Sequence, residues 1–416
     1  MRVHVVDPSA YTPPYDHALC RALGEAGAEV ELFTSRFAYG PVAPARGYER
    51  RELFYRAAGL IPEYVGTPSP AGRAARARRA VKLAEHVPDM LRYRRAARAA
   101  DIVHFQWLTV QHLDGLLLPK RRLDGPMFLR RLPRARVRAR AKGSVEHMSS
   151  PGGGSATPPR PPLVLTAHDV LPREPRRGQL AAQRRLYDRF DAVVVHSAHG
   201  RDRLTSELGV DPDRVHVIPH GVFSHLAHAP PHPPPFETDK PVVLCFGLMR
   251  PYKGIDVLLE AWRGIDDAEL WVAGRPRMDI SSLRASAPPN VRFVPRFITD
   301  EELPAYFRRA DVVVLPYREI DQSGVLFTAL AFAKPLLLTD VGGFPEVAAI
   351  GAARTVPAGD PDALRLALRE LLDDPAALAA MAERSRAAAE GKYSWDSIAR
   401  ETLALYESLL GEHPGM

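Results

Sequence analysis

Short, almost wholly apolar runs alternate with helix-period stretches along this chain, in two series separated by prolines. The first series holds "RVHVVD" (2–7), "EVELFTS" (29–35), "DIVHFQW" (101–107), "LVLTAHD" (163–169), "AVVVHSA" (192–198) and "VHVIPHG" (215–221), with the helix pattern "DHALCRALGEAG" (16–27) after the first run. Runs that lack polar alternation describe strands covered on both faces, which calls for parallel pairing. The helices between them supply the crossover connections that parallel strands need.

From 225 to 240 the chain reads "HLAHAPPHPPPFETDK", too rich in proline for a helix or a central strand, so an extended linker is expected. A second series follows: "PVVLCFG" (241–247), a helix over 254–263, "ELWVAG" (269–274), "VRFVP" (291–295), a helix over 300–309, "VVVLPY" (312–317), a helix over 324–333, "PLLLTD" (335–340) and "ARTVPA" (353–358). The amphipathic stretch "YSWDSIARETLALYESLL" (393–410) is able to cap either domain. The expected fold is α/β. It has a Rossmann-like, doubly wound parallel-sheet domain over 1–224, the linker 225–240, a second such domain over 241–391 and a C-terminal helix within 392–416. The low-complexity run "GSVEHMSSPGGGSATPPRPP" (143–162) is expected to be a disordered loop inside the first domain, because the strand after it needs the earlier strands as neighbours.

No apolar run approaches the roughly 18 residues of a membrane span, and "MRVHVVDPSA" is a strand pattern and not a signal peptide, so a cytoplasmic protein is expected. The two cysteines, Cys20 and Cys245, have no metal-ligand spacing and read as buried small residues. The formal net charge of +7 is concentrated in arginine-dense stretches at 71–100 and 120–142. They read first as solvated helical faces. A second reading is a peripheral contact with an anionic membrane, at the inner face of the plasma membrane, with Met127, Phe128 and Leu129 dipping in. The runs lack interleaved aromatics, and nucleic acid is not expected as a partner.

The polar residues that carry chemistry gather after strands of the second series. "FGLMRPYKGIDVLLEAW" (246–262) places Arg250 and Lys253 between a strand ending at Gly247 and a helix start, where a sheet edge and a helix N-terminus both favour anions. Gly274 in "AGRP", Phe297 in "RFITDEE" and "YREIDQSGV" (317–325) follow other strands at the same edge. A helix starting near Ser323–Gly324 brings small residues whose amides can approach a phosphate. One Arg-Lys pair is ordinary surface charge. Joined to a Ser-Gly helix start, it describes a diphosphate socket. "DPD" at 211–213 and 360–362 resembles a metal-binding Asp-x-Asp, but Asp as cap with Pro at the first helical position explains both.

With "LWVAG", "ADVVVLPY", "QSGVLFTALAFAKPLLLTDVGGFPEV" and "VIPHGV" in this order, the chain resembles the family 4 (group 1) retaining glycosyltransferases of the GT-B fold, strongly over about 190–395. That resemblance implies an enzyme with two Rossmann-like domains facing a cleft, which moves a sugar from a nucleoside-diphosphate donor to an acceptor hydroxyl without a metal or other cofactor. It implies that Arg250 and Lys253 hold the donor diphosphate and stabilise the leaving charge. Gly247, Gly274, Phe297, Ser323, Gly324, Val325 and Thr328 would complete the donor site, and His168 would contact the sugar or position the acceptor. Two glutamates common in the family are replaced here by Ile320 and Thr328, and "DPSAYTPPYDHAL" stands where a Gly-Gly loop is usual. Two alternatives remain: a nucleotide-sugar epimerase or hydrolase, and a catalytically silent sugar-nucleotide-binding subunit.

Overall fold

The computed structural model describes residues 1–37, 42–61, 73–118, 160–171 and 178–411. The first sheet contains β1 (Arg2–Asp7), β2 (Glu29–Ser35), β3 (Glu49–Phe54), β4 (Ile102–Phe105), β5 (Leu163–Thr166), β6 (Ala192–Val195) and β7 (Val215–Val217). They lie in the order 3-2-1-4-5-6-7, all parallel. The second sheet contains β8 (Val242–Phe246), β9 (Glu269–Ala273), β10 (Val291–Val294), β11 (Val312–Leu315), β12 (Leu336–Thr339) and β13 (Ala353–Val356), parallel in the order 10-9-8-11-12-13. Strand order reverses beside β1 in one sheet and beside β8 in the other. Such switch points open the crevices in which doubly wound sheets bind ligands.

The central strands are apolar because both faces are covered: all four residues of β4, β5, β6, β11 and β12 are buried. β3 escapes sequence detection for the opposite reason. It is an edge strand whose "ERRELF" stays largely in contact with water, and it is held by pairing to β2 and by an Arg51–Glu31 ion pair at 2.8 Å.

Two expectations are corrected. Residues 160–162 of the presumed disordered loop are fixed: the Arg160 guanidinium donates to Asp191 at 2.7 and 3.1 Å, and the Pro162 carbonyl accepts from the Val103 amide at 3.1 Å. Residues 143–159, like Met127, Phe128 and Leu129, lie outside the described residues. The segment 225–240 is not extended throughout, since Ser224–Ala227 form one helical turn. Its remainder is tied to the second domain, where Arg308 donates to the carbonyls of Ala227 and Pro230 at 3.0 and 3.2 Å. Phe236 also sets its ring 5.4 Å from Trp271.

Among the described residues there are fourteen α-helices, and the last of them, α14 (Trp395–Gly411), follows the second sheet in the chain yet packs on the first. Its Ile398, Ala399, Leu405, Tyr406 and Leu409 share a core with Val3, Val5 and Leu19. The Tyr406 hydroxyl lies 2.6 Å from His104 Nδ1. His104 is thereby a buried core residue whose other nitrogen meets Thr166 at 2.7 Å.

Candidate active site in the interdomain cleft

The loop after β8 sits at the switch point of the second sheet. Gly247 has φ +112°, a conformation that favours glycine, and a Cβ there would lie 3.2 Å from Val325 Cγ2 and 3.4 Å from Lys253 Nζ. A Cβ on Gly274 would overlap the Gly247 carbonyl oxygen. Lys253 is buried, donates to the Tyr317 hydroxyl and holds its ammonium 4.2 Å from the Tyr317 ring centroid. The same hydroxyl is 3.4 Å from Ser323 Oγ. Gly247, Lys253, Tyr317, Ser323 and Val325 therefore form one cluster. It is closed by the first turn of the helix Gly324–Ala331, whose leading amides have no partner within the helix.

The other candidates of the second domain occupy different settings. Arg250 is exposed at the rim, and its side chain makes no hydrogen bond or ion pair among the described residues. Phe297 is 58% exposed and lies beyond the end of β10. Thr328 is buried one turn into its helix, with its hydroxyl proton donated to the Gly324 carbonyl at 3.0 Å. Only its lone pairs remain to meet a ligand. Both "DPD" sequences are caps: Asp211 accepts from the Asp213 amide, and Asp360 from the amides of Asp362 and Ala363.

Across the cleft, His168 follows β5 and is partly buried. Its ring stacks on Trp107 at 4.9 Å and takes the edge of Tyr15 at 4.7 Å. His168 Nε2 is 3.1 Å from the Gln106 side-chain amide, and Nδ1 is 3.2 Å from His196 Nε2. His220 continues the group, 5.3 Å from His196 and stacked at 4.5 Å on Phe327 of the second domain. Burial, with a smaller push from neighbouring imidazoles, holds His168 well below the ordinary histidine range and His220 at about 3. Burial likewise lowers His196 to about 4. All three are neutral near pH 7.

The two halves touch beside these residues. Asp321, two positions before Ser323, accepts from the Val170 amide at 3.1 Å and from Arg203 at 2.6 Å. Val170 is two positions after His168, so one carboxylate pins the donor-side loop to the histidine-bearing loop. The Gln322 amide reaches the His196 carbonyl at 3.5 Å, and Glu346 accepts from the His199 amide at 3.3 Å. A cavity of about 210 Å³ behind this contact is bordered by His196, Gln322, Glu346 and Lys392.

Residues 93–224 match the family model "Glycosyltransferase Family 4", and residues 240–374 match "Glycosyl transferases group 1". The chain belongs to the family 4 glycosyltransferases. This family member is 28% identical over 279 residues to the MMP alpha-(1->4)-mannosyltransferase of Mycolicibacterium hassiacum, a match spanning 60% of this chain and 66% of that one. Its fold is GT-B. Sucrose-phosphate synthase from Thermosynechococcus elongatus superposes with a TM-score of 0.68 over 99% of this chain and all of that one, at 19% identity. Anabaena Alr3699/HepE in complex with UDP superposes with 0.65 over 98% of this chain and all of that one, at 15% identity.

Gln106, Trp107, Tyr15, His196, Tyr317 and Asp321 are the residues that sequence reasoning did not place in the site. Tyr15 lies in the helix Pro13–Glu25, and the other five stand within a few positions of an apolar run's end, which marks the sheet edge but does not separate them from other edge residues.

Proposed function

We propose that this family 4 glycosyltransferase moves a sugar from a nucleoside-diphosphate donor to an acceptor hydroxyl, with retention at the anomeric carbon and without a metal. The observation that carries the reading is the cluster at the switch point. Two glycine backbones in contact, with no room for a Cβ on Gly274, a buried ammonium and the first amides of a helix make a cradle whose donors and charge suit a diphosphate. The UDP complex of the Anabaena neighbour supports the same ligand class.

In the reaction the bond between the anomeric carbon and the β-phosphate oxygen breaks, and its electron pair stays on the leaving diphosphate. Lys253 and Arg250 lie where that charge grows, so they act more strongly on the transition state than on the bound donor. His168, neutral through burial and locked by Trp107 and Tyr15, borders the sugar side, and its Nε2 exchanges the Gln106 amide for a sugar hydroxyl when substrate arrives. The acceptor enters between it and the donor.

The test is titration of UDP and GDP into the wild type and Lys253→Met, followed by NMR of the product's anomeric configuration with a chelator present. Diphosphate binding that depends on Lys253, and an unchanged configuration, are expected. An inverted product, or activity abolished by the chelator, would overturn the retaining or metal-free part.

Among the described residues no helix is long and apolar enough to cross a membrane. Exposed Arg76, Arg79, Arg92, Arg94 and Arg95 on the helix Arg73–Ala96 support a peripheral contact with an anionic bilayer. Salt-sensitive sedimentation with anionic vesicles, but not with neutral ones, is the expected result.

A further inference from the structure

The loop after β1 is held by a pair of buried acids. Asp7 ends β1, Asp16 stands in the first turn of the helix Pro13–Glu25, and both are sealed from solvent. The Asp7 carboxylate accepts from the amides of Ser9, Tyr11 and Thr12 at 3.2, 2.6 and 3.2 Å. Asp16 lies within hydrogen-bonding reach of the side chains of Asp7 and Thr12. Two carboxylates so close and so buried do not both ionise, so one proton sits between them. The three amides draw the charge to Asp7, and Asp16 keeps the proton: burial, and then the Asp7 charge, raises it well above the usual carboxyl range. Asp16 Oδ1 is buried and receives no hydrogen bond among the described residues, which fits an oxygen that itself carries the proton.

The loop that these acids hold is strained, and it reaches the reacting end of the cleft. Ala10 has φ +49°, a left-handed conformation that a residue with a Cβ keeps only where its surroundings impose it, and its amide donates to the Asp7 carbonyl at 3.2 Å. Thr12, whose amide is bound to Asp7, accepts the Trp107 indole N–H on its hydroxyl oxygen at 2.9 Å. Ser9 Oγ makes a second tie, 2.7 Å from Thr109 Oγ1. Trp107 in turn stacks on His168 at 4.9 Å, with the ring planes 13° apart. Every link from Asp16 to the indole is a directional hydrogen bond, so the place of the His168 ring depends on two acids that water does not reach.

We propose that Asp7 and Asp16, sharing one proton, are positioning residues for the transfer: through the Thr12 hydroxyl and the Trp107 indole they fix the His168 ring beside the sugar. Their effect on turnover rests on the glycosyl transfer proposed above, whereas the hydrogen-bonded path from Asp16 to Trp107 does not.

The test reads the path and the rate separately. The Trp107 indole N–H resonance, assigned with Trp107→Phe, is followed in the full chain of the wild type, Thr12→Val, Thr12→Ser, Asp16→Leu and Asp16→Asn, with thermal melts as a check of folding. Thr12→Val keeps the side-chain shape and removes the acceptor, so the resonance should move upfield, and Thr12→Ser should return it. Asparagine at 16 still donates to Asp7 and should leave the resonance in place, whereas leucine should shift it. Hydrolysis of UDP-glucose and GDP-mannose, read as released nucleotide, should fall about tenfold or more in Thr12→Val and Asp16→Leu, the scale of one positioned hydrogen bond. It should recover in Thr12→Ser and Asp16→Asn, with the affinities for UDP and GDP unchanged throughout. An unmoved resonance in Thr12→Val, or wild-type hydrolysis by folded Thr12→Val, overturns the proposal. Loss of both resonance and rate in Asp16→Asn overturns the shared proton, and this holds even where Asp16→Leu fails to fold. If the wild type hydrolyses neither donor while the resonance follows Thr12 and Asp16, the donor reading fails and the path to Trp107 stands.

Discussion

His196 Nε2 stands 3.2 Å from His168 Nδ1, while His196 Nδ1 stands 3.0 Å from the carbonyl oxygen of Ile218. A carbonyl only accepts, so neutral His196 carries its proton on Nδ1 and offers a bare Nε2. His168 must then donate from Nδ1, which leaves its own Nε2 bare. The Gln106 amide nitrogen, without a partner as placed, meets that lone pair once the amide is turned over. His196 is thus a positioning residue that sets the tautomer of His168.

In nitrogen-15 spectra His168 should show one tautomer, bare at Nε2, and His196→Phe should mix the two while keeping the ring packing. Turnover of His196→Phe should fall and its pH profile shift, with diphosphate affinity unchanged. His168→Ala should lose about tenfold or more in turnover, the scale of one positioned hydrogen bond. A wild-type spectrum with the proton on Nε2 would sink this account.

Lys253 and Arg250 should separate by stability. Arg250→Ala removes an exposed side chain and should leave the melting temperature unchanged while lowering turnover about a hundredfold, by analogy with losing one oxyanion donor. Lys253→Ala should cost a similar factor and, because its stem is buried against Tyr317, on the order of 1–3 kcal/mol of stability as well. Lys253→Met should recover the stability but not the rate. Kinetics beside urea unfolding decide it, and a fully active Arg250→Ala would remove that residue from the site.

Arg203→Met should loosen the cleft. Without the guanidinium, Asp321 keeps only the Val170 amide as a partner across the cleft among the described residues. The radius of gyration from small-angle scattering should rise, and the added diphosphate should reverse part of the rise if it bridges both halves. No change in scattering would mean that the stacked His220–Phe327 contact and the Glu346–His199 contact suffice to hold the halves together.

Asp16 gives a pH test with an unusual sign. Burial, and then the adjacent Asp7 carboxylate, raises Asp16 well above the usual carboxyl range, so it stays protonated in the fold. The unfolded chain releases that proton above about pH 4, and the folded chain does not, so stability is lost as pH rises. Asp16→Asn should remove the loss and gain up to about 1.4 kcal/mol per pH unit over that window. The buried histidines act oppositely and only on the acid side: His104 at about 3 and His196 at about 4 lose stability as pH falls below roughly 6.5. Urea unfolding of both proteins from about pH 5 to pH 8 should give diverging lines. Parallel lines would show Asp16 to be ionised in the fold.

The two sheets were legible because strands buried on both faces leave continuous apolar runs, as in "VVVLPY" and "PLLLTD". β3, buried on little of its surface, left no such trace. Gly247, Lys253 and Ser323 were legible as candidates because glycine, a cation and a helix start fell at one predicted sheet edge. The tautomer chain was not, since His168 and His196 are 28 positions apart and meet only because β5 and β6 are neighbours. Asp321 stood beside a noted substitution, but its partners Val170 and Arg203 belong to the other domain and become visible only once the cleft is formed.

The position of α14 orders the events of synthesis. A ribosome makes the strands of the first sheet early, yet the surface formed by Val3, Val5 and Leu19 waits for Ile398, Leu405 and Tyr406. Until those residues emerge, the nascent first domain carries an uncovered apolar face and an unpartnered His104 nitrogen, while the second sheet has every strand it needs. The half of the molecule that is translated first is therefore the half that finishes folding last, and that is when a chaperone would find it.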